Sequence, residues 1–220
     1  MTWDEQSSSI EQVYQVANKF PSEWVQQRYN EGFIIDGLSY LGNSWVVVMR
    51  KGLGWAQTTR ANMSGFALEQ WKEDGYYVTD HAEGGGGSIT VFSRIPGDVR
   101  QSRHFKADWA STPDDDGRRV LRLSFTPFGY NDELFVAVYR AMPQVTAQEV
   151  VVRSDPSSFM NKCLAEGMRI TKLQRIGPWF NEWFVVGTRM PGAYRQTWFP
   201  MDEAKLAEHQ RQGFRITCFY

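Results

Sequence analysis

One short stretch recurs four times along this chain and constrains its fold more than any other feature. Each copy has an apolar run that ends in an arginine, then a turn of six or seven residues, then a glutamine. The four pairs are Arg50 and Gln57, Arg94 and Gln101, Arg140 and Gln148, and Arg189 and Gln196. Together with Gln12, the glutamines are spaced by 44 to 48 residues. A period of that length is typical of a repeat protein.

Between these stretches the sequence predicts a strand, a helix and two further strands in each period. Glycines that suit the position after a helix, where φ is often positive, are Gly32, Gly75, Gly117, Gly167 and Gly213. The predicted units cover about 10–50, 55–94, 99–140, 146–189 and 194–220, within a single domain over 1–220. The fifth unit lacks an apolar middle strand unless the segment around Trp3 supplies one.

The apolar strands predict how the units combine. Trp45 to Met49 is apolar at successive positions, which is typical of a strand that is buried on both faces. A unit whose helix offers only a narrow apolar stripe cannot complete its own core, so neighbouring units must share one. We therefore expect an α/β (α+β) repeat fold of about five β-α-β-β units of about 44 residues, closed into a pentein-like or propeller-like ring. An open solenoid is the alternative.

Two of the helices in this scheme are placed by local signals. Ser64 is suited to cap a helix that ends at Gly75, and a degenerate helix is expected from Phe105 to about Ala110.

The glycine run from Gly84 to Gly87 lacks the lysine and the following helix of a phosphate-binding loop, so we interpret it as a hairpin loop.

The composition excludes several classes of function. The formal net charge is −1, whereas proteins that bind nucleic acid through phosphate contacts usually have an excess of basic residues. Cys163 and Cys218 are too few for a disulfide framework, and the three histidines share no metal-ligand spacing. No apolar run is long enough for a membrane span, and the first residues lack a secretory signal. We expect no cofactor, no metal, no nucleic acid partner, no membrane insertion, and a cytoplasmic or nuclear location.

The recurring arginines and glutamines are the first candidates for binding. If each pair faces across a hairpin on the same side of the sheet, the donors form a row suited to a carboxylate, a phosphate or a peptide backbone. Alternatively, each pair stabilises its own turn, with the arginine bonding loop carbonyls. Loop or strand-edge tryptophans are candidates for exposed anchors. The candidate binding residues are Trp55, Trp198, Tyr194, Arg50, Arg94, Arg140, Arg189, Gln57, Gln101, Gln148 and Gln196, with Trp179 as a further loop tryptophan.

The first unit resembles a repeat of unknown function. The resemblance rests on Phe20-Pro-Ser-x-Trp24, Gly32-Phe33-x-Ile, Trp45-Val-Val-Val-Met49, Gly52-x-Gly54 and Gln57. This pattern is similar to the C-terminal region of plant MUT9-type casein-kinase-1-like kinases and to repeats that follow bacterial caspase-like domains. Because the repeat accompanies kinases or proteases in those settings, the resemblance implies a binding or regulatory module with no catalytic residues of its own.

These observations lead to three hypotheses for the function. The first is a non-catalytic protein–protein interaction, regulatory or scaffold module, able to serve as a subunit of a larger assembly, and therefore not an enzyme. The second is a small-ligand or carbohydrate-binding protein that uses the loop tryptophans. The third and weakest is a pentein-like enzyme acting on a guanidino compound with Cys218 as its thiol, which requires a reactive thiolate.

Overall fold

A computed structural model describes residues 2–5, 11–63, 74–105, 118–127, 133–142, 144–175, 182–192, 196–198, 203–212 and 214–218. Within these ranges the chain is built mainly of strands. The strands are β1 Thr2–Glu5, β2 Gln12–Ala17, β3 Phe33–Leu41, β4 Ser44–Lys51, β5 Ala56–Ala61, β6 Tyr77–Gly84, β7 Gly87–Arg94, β8 Val99–Phe105, β9 Arg118–Pro127, β10 Glu133–Ala141, β11 Ala147–Arg153, β12 Arg169–Arg175, β13 Trp183–Arg189, β14 Gln196–Trp198 and β15 Phe214–Cys218. The described helices are α1 Ser22–Asn30, α2 Pro156–Ala165 and α3 Glu203–Arg211.

The described strands form five three-stranded sheets. Their strand orders are β2-β4-β3, β5-β7-β6, β8-β10-β9, β11-β13-β12 and β14-β1-β15. In the first four sheets, the strand that comes last in the sequence lies in the middle. Wherever the register is described, neighbouring strands are antiparallel.

The fifth sheet joins two distant parts of the sequence. β1 lies between β14 and β15, with Trp3 opposite Thr197 on one side and Ile216 on the other. The segment around Trp3, which the sequence left open as a source of this middle strand, supplies it.

The middle strands β4, β7 and β13 are each buried over five successive residues, Trp45–Met49, Ile89–Ser93 and Phe184–Thr188. Because neighbouring residues of a strand point to opposite faces, both faces of each middle strand are covered. This confirms the interpretation of the apolar runs. In β7 and β13 an exposed arginine follows directly, which ends the buried part of the strand.

The chain divides into two compact units. One comprises Met1–Ser8, Phe105–Arg119 and Ala141–Tyr220, and the other comprises Ser9–His104 and Val120–Arg140. The prediction of a single domain over 1–220 stays a prediction.

In the second of these units, one core is shared between two sheets. It is formed by Val25 of α1, by Phe33, Ile35, Leu38, Trp45, Val47 and Met49 of β3 and β4, and by Ala82, Ile89 and Val91 of β6 and β7. The sheet β2-β4-β3 therefore buries its apolar side chains partly against the next sheet and does not close a core alone.

In the compact unit that includes Ala141–Tyr220, α2 packs on β12 and β13. Asp155 caps the helix by accepting a hydrogen bond from the N–H of Ser157 (2.9 Å), and Pro156 occupies its first turn. Gly167, with φ of 70°, ends it. The core beneath contains Phe159, Met160, Cys163, Met168, Ile170, Leu173, Val185 and Cys218.

The predicted α/β repeat ring is wrong. Among the described residues, strands far outnumber helices, so this part of the fold is mainly β, and the described strands close into neither a barrel nor a ring. The alternative of an open solenoid built from the same β-α-β-β units fails with it. One physical reason is that helix signals were overestimated: Phe105 was expected to begin a helix, but it ends β8. The helix expected after Ser64 falls mostly on 64–73, outside the described residues.

The stretches from arginine to glutamine are also not hairpins. Arg50 lies on β4, in the sheet β2-β4-β3, whereas Gln57 lies on β5, in the sheet β5-β7-β6. The other three stretches likewise lead from the middle strand of one sheet to a strand of the next. A turn sequence shows that the chain changes direction, but it does not determine which strand will be its partner.

Candidate functional site

The recurring glutamines connect neighbouring sheets. The N–H of Ile35 on β3 donates to Oε1 of Gln57 on β5 (2.5 Å), and Nε2 of Gln57 donates to the Ile35 carbonyl (3.0 Å). A backbone N–H and C=O at the edge of a sheet need partners, which a further strand would normally supply. The carboxamide of Gln57 supplies both.

The same arrangement recurs at two other glutamines. Oε1 of Gln101 accepts from the N–H of Val78 (2.7 Å). Gln196 bonds both the N–H (2.8 Å) and the carbonyl (2.9 Å) of Ile170. We call these three contacts, Gln57–Ile35, Gln101–Val78 and Gln196–Ile170, the carboxamide bridges.

Each carboxamide bridge binds the strand where its register shifts. The shifts lie between Ile35 and Gly37 on β3, between Val78 and Asp80 on β6, and between Ile170 and Lys172 on β12. An extra residue at a β-bulge locally disrupts the ladder. The glutamine of the following sheet thus bonds the backbone directly before the bulge.

Hydroxyl groups extend these contacts. Nε2 of Gln57 also donates to Oγ of Ser93 (2.9 Å), which in turn bonds Oγ1 of Thr79 (2.7 Å). Further bonds of this kind join Gln148 to Thr188 (3.2 Å), Thr188 to Thr171 (2.9 Å), and Gln196 to Thr217 (3.2 Å). The glutamine side chains are therefore engaged by the protein itself.

Two other groups reinforce the contact between the first two sheets. The hydroxyl of Tyr29 donates to Oε1 of Gln57 (3.1 Å), and burial raises the pKa of Tyr29 above its ordinary value. The buried carboxylate of Asp80 accepts from the N–H of Leu38 (2.9 Å) and of His81 (3.0 Å). Sequence reasoning missed Asp80, for which the only signal was an acidic residue within a strand.

Two arginines bind backbone carbonyls next to glycines with positive φ, Gly75 and Gly167. Nη2 of Arg94 donates to the carbonyl of Asp74 (3.0 Å), and its guanidinium lies 4.9 Å from the ring centre of Tyr76. Nη2 of Arg189 donates to the carbonyl of Glu166 (2.9 Å), the residue after α2. Cations near a helix C-terminus satisfy its last carbonyls. This agrees with the alternative that the arginines stabilise the local chain.

The other two arginines have different surroundings. Nη2 of Arg50 forms an ion pair with Asp36 across β4 and β3 (3.1 Å). Arg140 approaches the turn before β8, since a Cβ at Gly97 would lie 3.8 Å from its Nη2. The four arginines therefore do not share one role.

On two sheets the register places an arginine and a glutamine on opposite faces. On β7, Arg94 lies opposite Ala56 and Ser93 lies opposite Gln57, so Arg94 and Gln57 point to opposite faces of their sheet. The same register holds at Arg189, which lies opposite Ala147. The pairs predicted to face each other across a hairpin, such as Arg94 and Gln101, lie on different sheets, so that prediction is wrong.

The candidate aromatic anchors differ in what the structure shows. Trp55 is half-buried in the connection between β4 and β5, where Leu53 is half-buried and Gly52 and Gly54 have positive φ (98° and 65°). The backbone of Trp198 lies in β14, opposite Thr2. Tyr194 and Trp179 are outside the described residues.

The glycine run forms a tight hairpin, as interpreted from the sequence. β6 ends at Gly84 and β7 begins at Gly87, and the two residues between them have positive φ. Gly84 is required by the ring of Tyr40, because a Cβ there would lie 1.9 Å from Cγ of that ring.

Both thiols and His81 are buried. Neither Cys163 nor Cys218 is in a disulfide, and burial raises the pKa of Cys163 to about 11. His81 bonds Oγ1 of Thr90 through Nδ1 (2.9 Å) and lies 3.7 Å from Glu83. Among the residues that the structure places, no three His, Cys, Asp or Glu side chains are grouped as metal ligands would be.

Comparison with known proteins gives a match that covers part of the chain. No described helix is long and apolar enough to cross a membrane. Neither the curated proteins nor the solved structures include a match to the chain. A family model matches residues 4–61, which contain α1, β2 to β5 and Gln57. Its description is "Domain of unknown function (DUF7477)", so this segment is similar to a domain whose function is not established.

Proposed function

We propose that the protein is a non-catalytic protein–protein interaction or regulatory module that contacts its partner through the loop Gly52–Trp55. The observation that carries the proposal is the presentation of Leu53 and Trp55, which are half-buried in this loop, where Gly52 and Gly54 have positive φ. Large aromatic side chains that retain exposed surface are typical anchors of protein interfaces.

The contacts of the other candidate binding residues support this choice. The glutamines Gln57, Gln101 and Gln196 bond the backbone of a neighbouring sheet, and Arg94 and Arg189 bond carbonyls of their own unit. A ligand would have to break these contacts to use the same donors. The side chains of Leu53 and Trp55 retain part of their surface, which a partner could bury.

The sequence resemblance supports a regulatory role. The loop lies within residues 4–61, the part that matches the domain of unknown function. The related pattern in MUT9-type kinases and after caspase-like domains accompanies catalytic domains. We extend that setting to this protein, as a module that binds a kinase, a protease or another enzyme in the cytoplasm or nucleus, where free cysteines such as Cys163 and Cys218 persist.

The test is co-purification with quantitative comparison of variants. We expect the tagged protein to retain a stoichiometric partner, and Trp55→Ala to lower the partner's affinity at least tenfold, since a central aromatic anchor contributes about 2 kcal/mol or more. Arg153→Ala, which changes an exposed residue of β11, is the control variant and should retain the partner. Equal retention by the wild type and Trp55→Ala would contradict the proposal. A glycan that binds the wild type and not Trp55→Ala would replace it with carbohydrate binding.

A further inference from the structure

The sheet β14-β1-β15 depends on its middle strand. β14 pairs with β1 through Thr2, Trp3 and Asp4, and β15 pairs with β1 over Thr2–Glu5. In the described register β14 and β15 are each bonded to β1 and not to each other. Without β1 they would present two facing strand edges, so the space between them is a slot that accepts one short strand.

The strand in this slot is distant in sequence from both of its partners. β1 covers Thr2–Glu5, whereas β14 begins at Gln196 and β15 at Phe214. The segment Met1–Ser8 belongs to the same compact unit as β14 and β15, whereas Ser9–His104 belongs to the other unit. In the sequence, the boundary between the two units falls in the polar run Gln6-Ser7-Ser8-Ser9.

We propose that this slot also accepts β1 from a second copy of the chain, giving a strand-exchanged dimer. An exchanged strand makes the same backbone bonds as the strand of its own chain, so the two arrangements differ mainly in connection and concentration. A covalently connected strand competes at an effective concentration of about 1 mM when its linker is short and flexible. Exchange is therefore expected as the protein concentration rises toward that range, or when the linker is shortened.

The register argues that a second copy is the occupant. Asp4 lies opposite Arg215 on β15 and opposite Gln196 on β14, and Glu5 lies opposite Phe214. β1 of a second copy has the same sequence as the strand that is paired here, so it can take the same register on both β14 and β15. A strand from an unrelated protein has no such correspondence.

Disulfide trapping between two single variants tests the exchange. Directly opposite residues of antiparallel strands have Cα atoms about 4.5–5.5 Å apart, which suits a disulfide. Asp4→Cys and Arg215→Cys proteins are mixed, concentrated and exposed to a glutathione redox buffer. We expect a covalent heterodimer whose yield increases with concentration and exceeds severalfold that of a control mixture of Asp4→Cys and Arg153→Cys. Arg153 is exposed on β11, outside the slot.

Light scattering on linker variants gives a second measurement without changing β1. Deleting Ser7–Ser9 should raise the dimer fraction severalfold at equal concentration, and inserting glycine and serine there should lower it. Equal heterodimer yields for the Arg215 and Arg153 mixtures would overturn the proposal. So would a dimer that forms without excess trapping at Arg215, or a dimer fraction that does not respond to linker length.

Discussion

The side chain of Gln57 satisfies both backbone hydrogen-bonding groups of Ile35, a residue on the neighbouring sheet. This carboxamide bridge joins β5, which follows the connection between the two sheets, to β3, which precedes that connection. Since β3 shifts register immediately after Ile35, the carboxamide acts where the edge of the sheet is least able to pair with another strand. Gln57 therefore holds two consecutive sheets in contact at one point.

Replacing this glutamine should destabilise the protein. In Gln57→Ala the N–H and carbonyl of Ile35 lose their carboxamide partner while remaining largely buried, which we expect to lower the free energy of unfolding by about 1–3 kcal/mol. Urea denaturation measures the change. Gln26→Ala is the control, because Gln26 makes only a surface bond to Asn30, and its effect should stay within about 0.5 kcal/mol. Equal effects of the two substitutions would contradict the assigned role.

Arg94 should contribute to stability and not to partner binding. Arg94→Ala removes the bond to the Asp74 carbonyl and the contact with Tyr76, so we expect a loss of about 0.5–1.5 kcal/mol in thermal or urea unfolding. Arg153→Ala, which removes an exposed side chain bonded to the carbonyl of the adjacent Val152, serves as the comparison and should have a smaller effect. If Arg94→Ala instead left stability unchanged and weakened the partner, the arginine would belong to a binding surface.

The sequence predicts the local elements well because local signals determine them. Strand β4 contains the predicted apolar run Trp45 to Met49, and Gly32 and Gly167, which suit the position after a helix, follow α1 and α2 with positive φ. Which strands pair could not be predicted in the same way. The stretch from Arg50 to Gln57 has the turn and strand signals of a hairpin, but its second strand joins another sheet, and that choice depends on contacts distant in sequence.

The candidate site was predicted only in part, for the same reason. Period and residue type singled out Gln57, Gln101 and Gln196, and these side chains do recur in equivalent contacts. Their targets, such as Ile35, could not be identified, because a β-bulge has no clear signal in one sequence. The sequence pattern predicts that each Arg and Gln pair faces across one hairpin, whereas the two residues of each pair lie on different sheets.

Adding a methyl group to Gly84 should be costly, because of Tyr40. A Cβ at Gly84 would lie 1.9 Å from Cγ of the ring, so Gly84→Ala must displace the ring or the hairpin, at an expected cost of about 1–3 kcal/mol. A double-mutant cycle with Tyr40→Ala tests the cause: in that background Gly84→Ala should cost much less. An unchanged cost would show that backbone conformation, and not the ring, requires glycine there.

Cys163 should make the protein less stable in alkaline solution. Burial raises its pKa from 9.0 to about 11, so the folded state favours the neutral thiol. This contribution is fully present below pH 9 and is lost as the pH rises through about 11, because the unfolded chain releases the proton first. Cys163→Ala should flatten the decline in unfolding free energy between these values. An equally steep decline in the variant would contradict the prediction.

The two thiols should also be unreactive in the native protein. Cys163 and Cys218 are buried, so a thiol reagent at neutral pH should modify them only as fast as the structure opens, and rapidly after denaturation. Rapid labelling of Cys218 in the native state would instead support the guanidino-modifying alternative.

Amide hydrogen exchange at Ile35, Val78 and Ile170 tests the carboxamide bridges most directly. These three N–H groups donate to Gln57, Gln101 and Gln196, respectively. We predict that all three are protected in the native protein, and that each loses protection selectively when its own glutamine is replaced by alanine. Exchange at the rate of exposed amides in the wild type, or protection that is indifferent to the glutamines, would contradict the account.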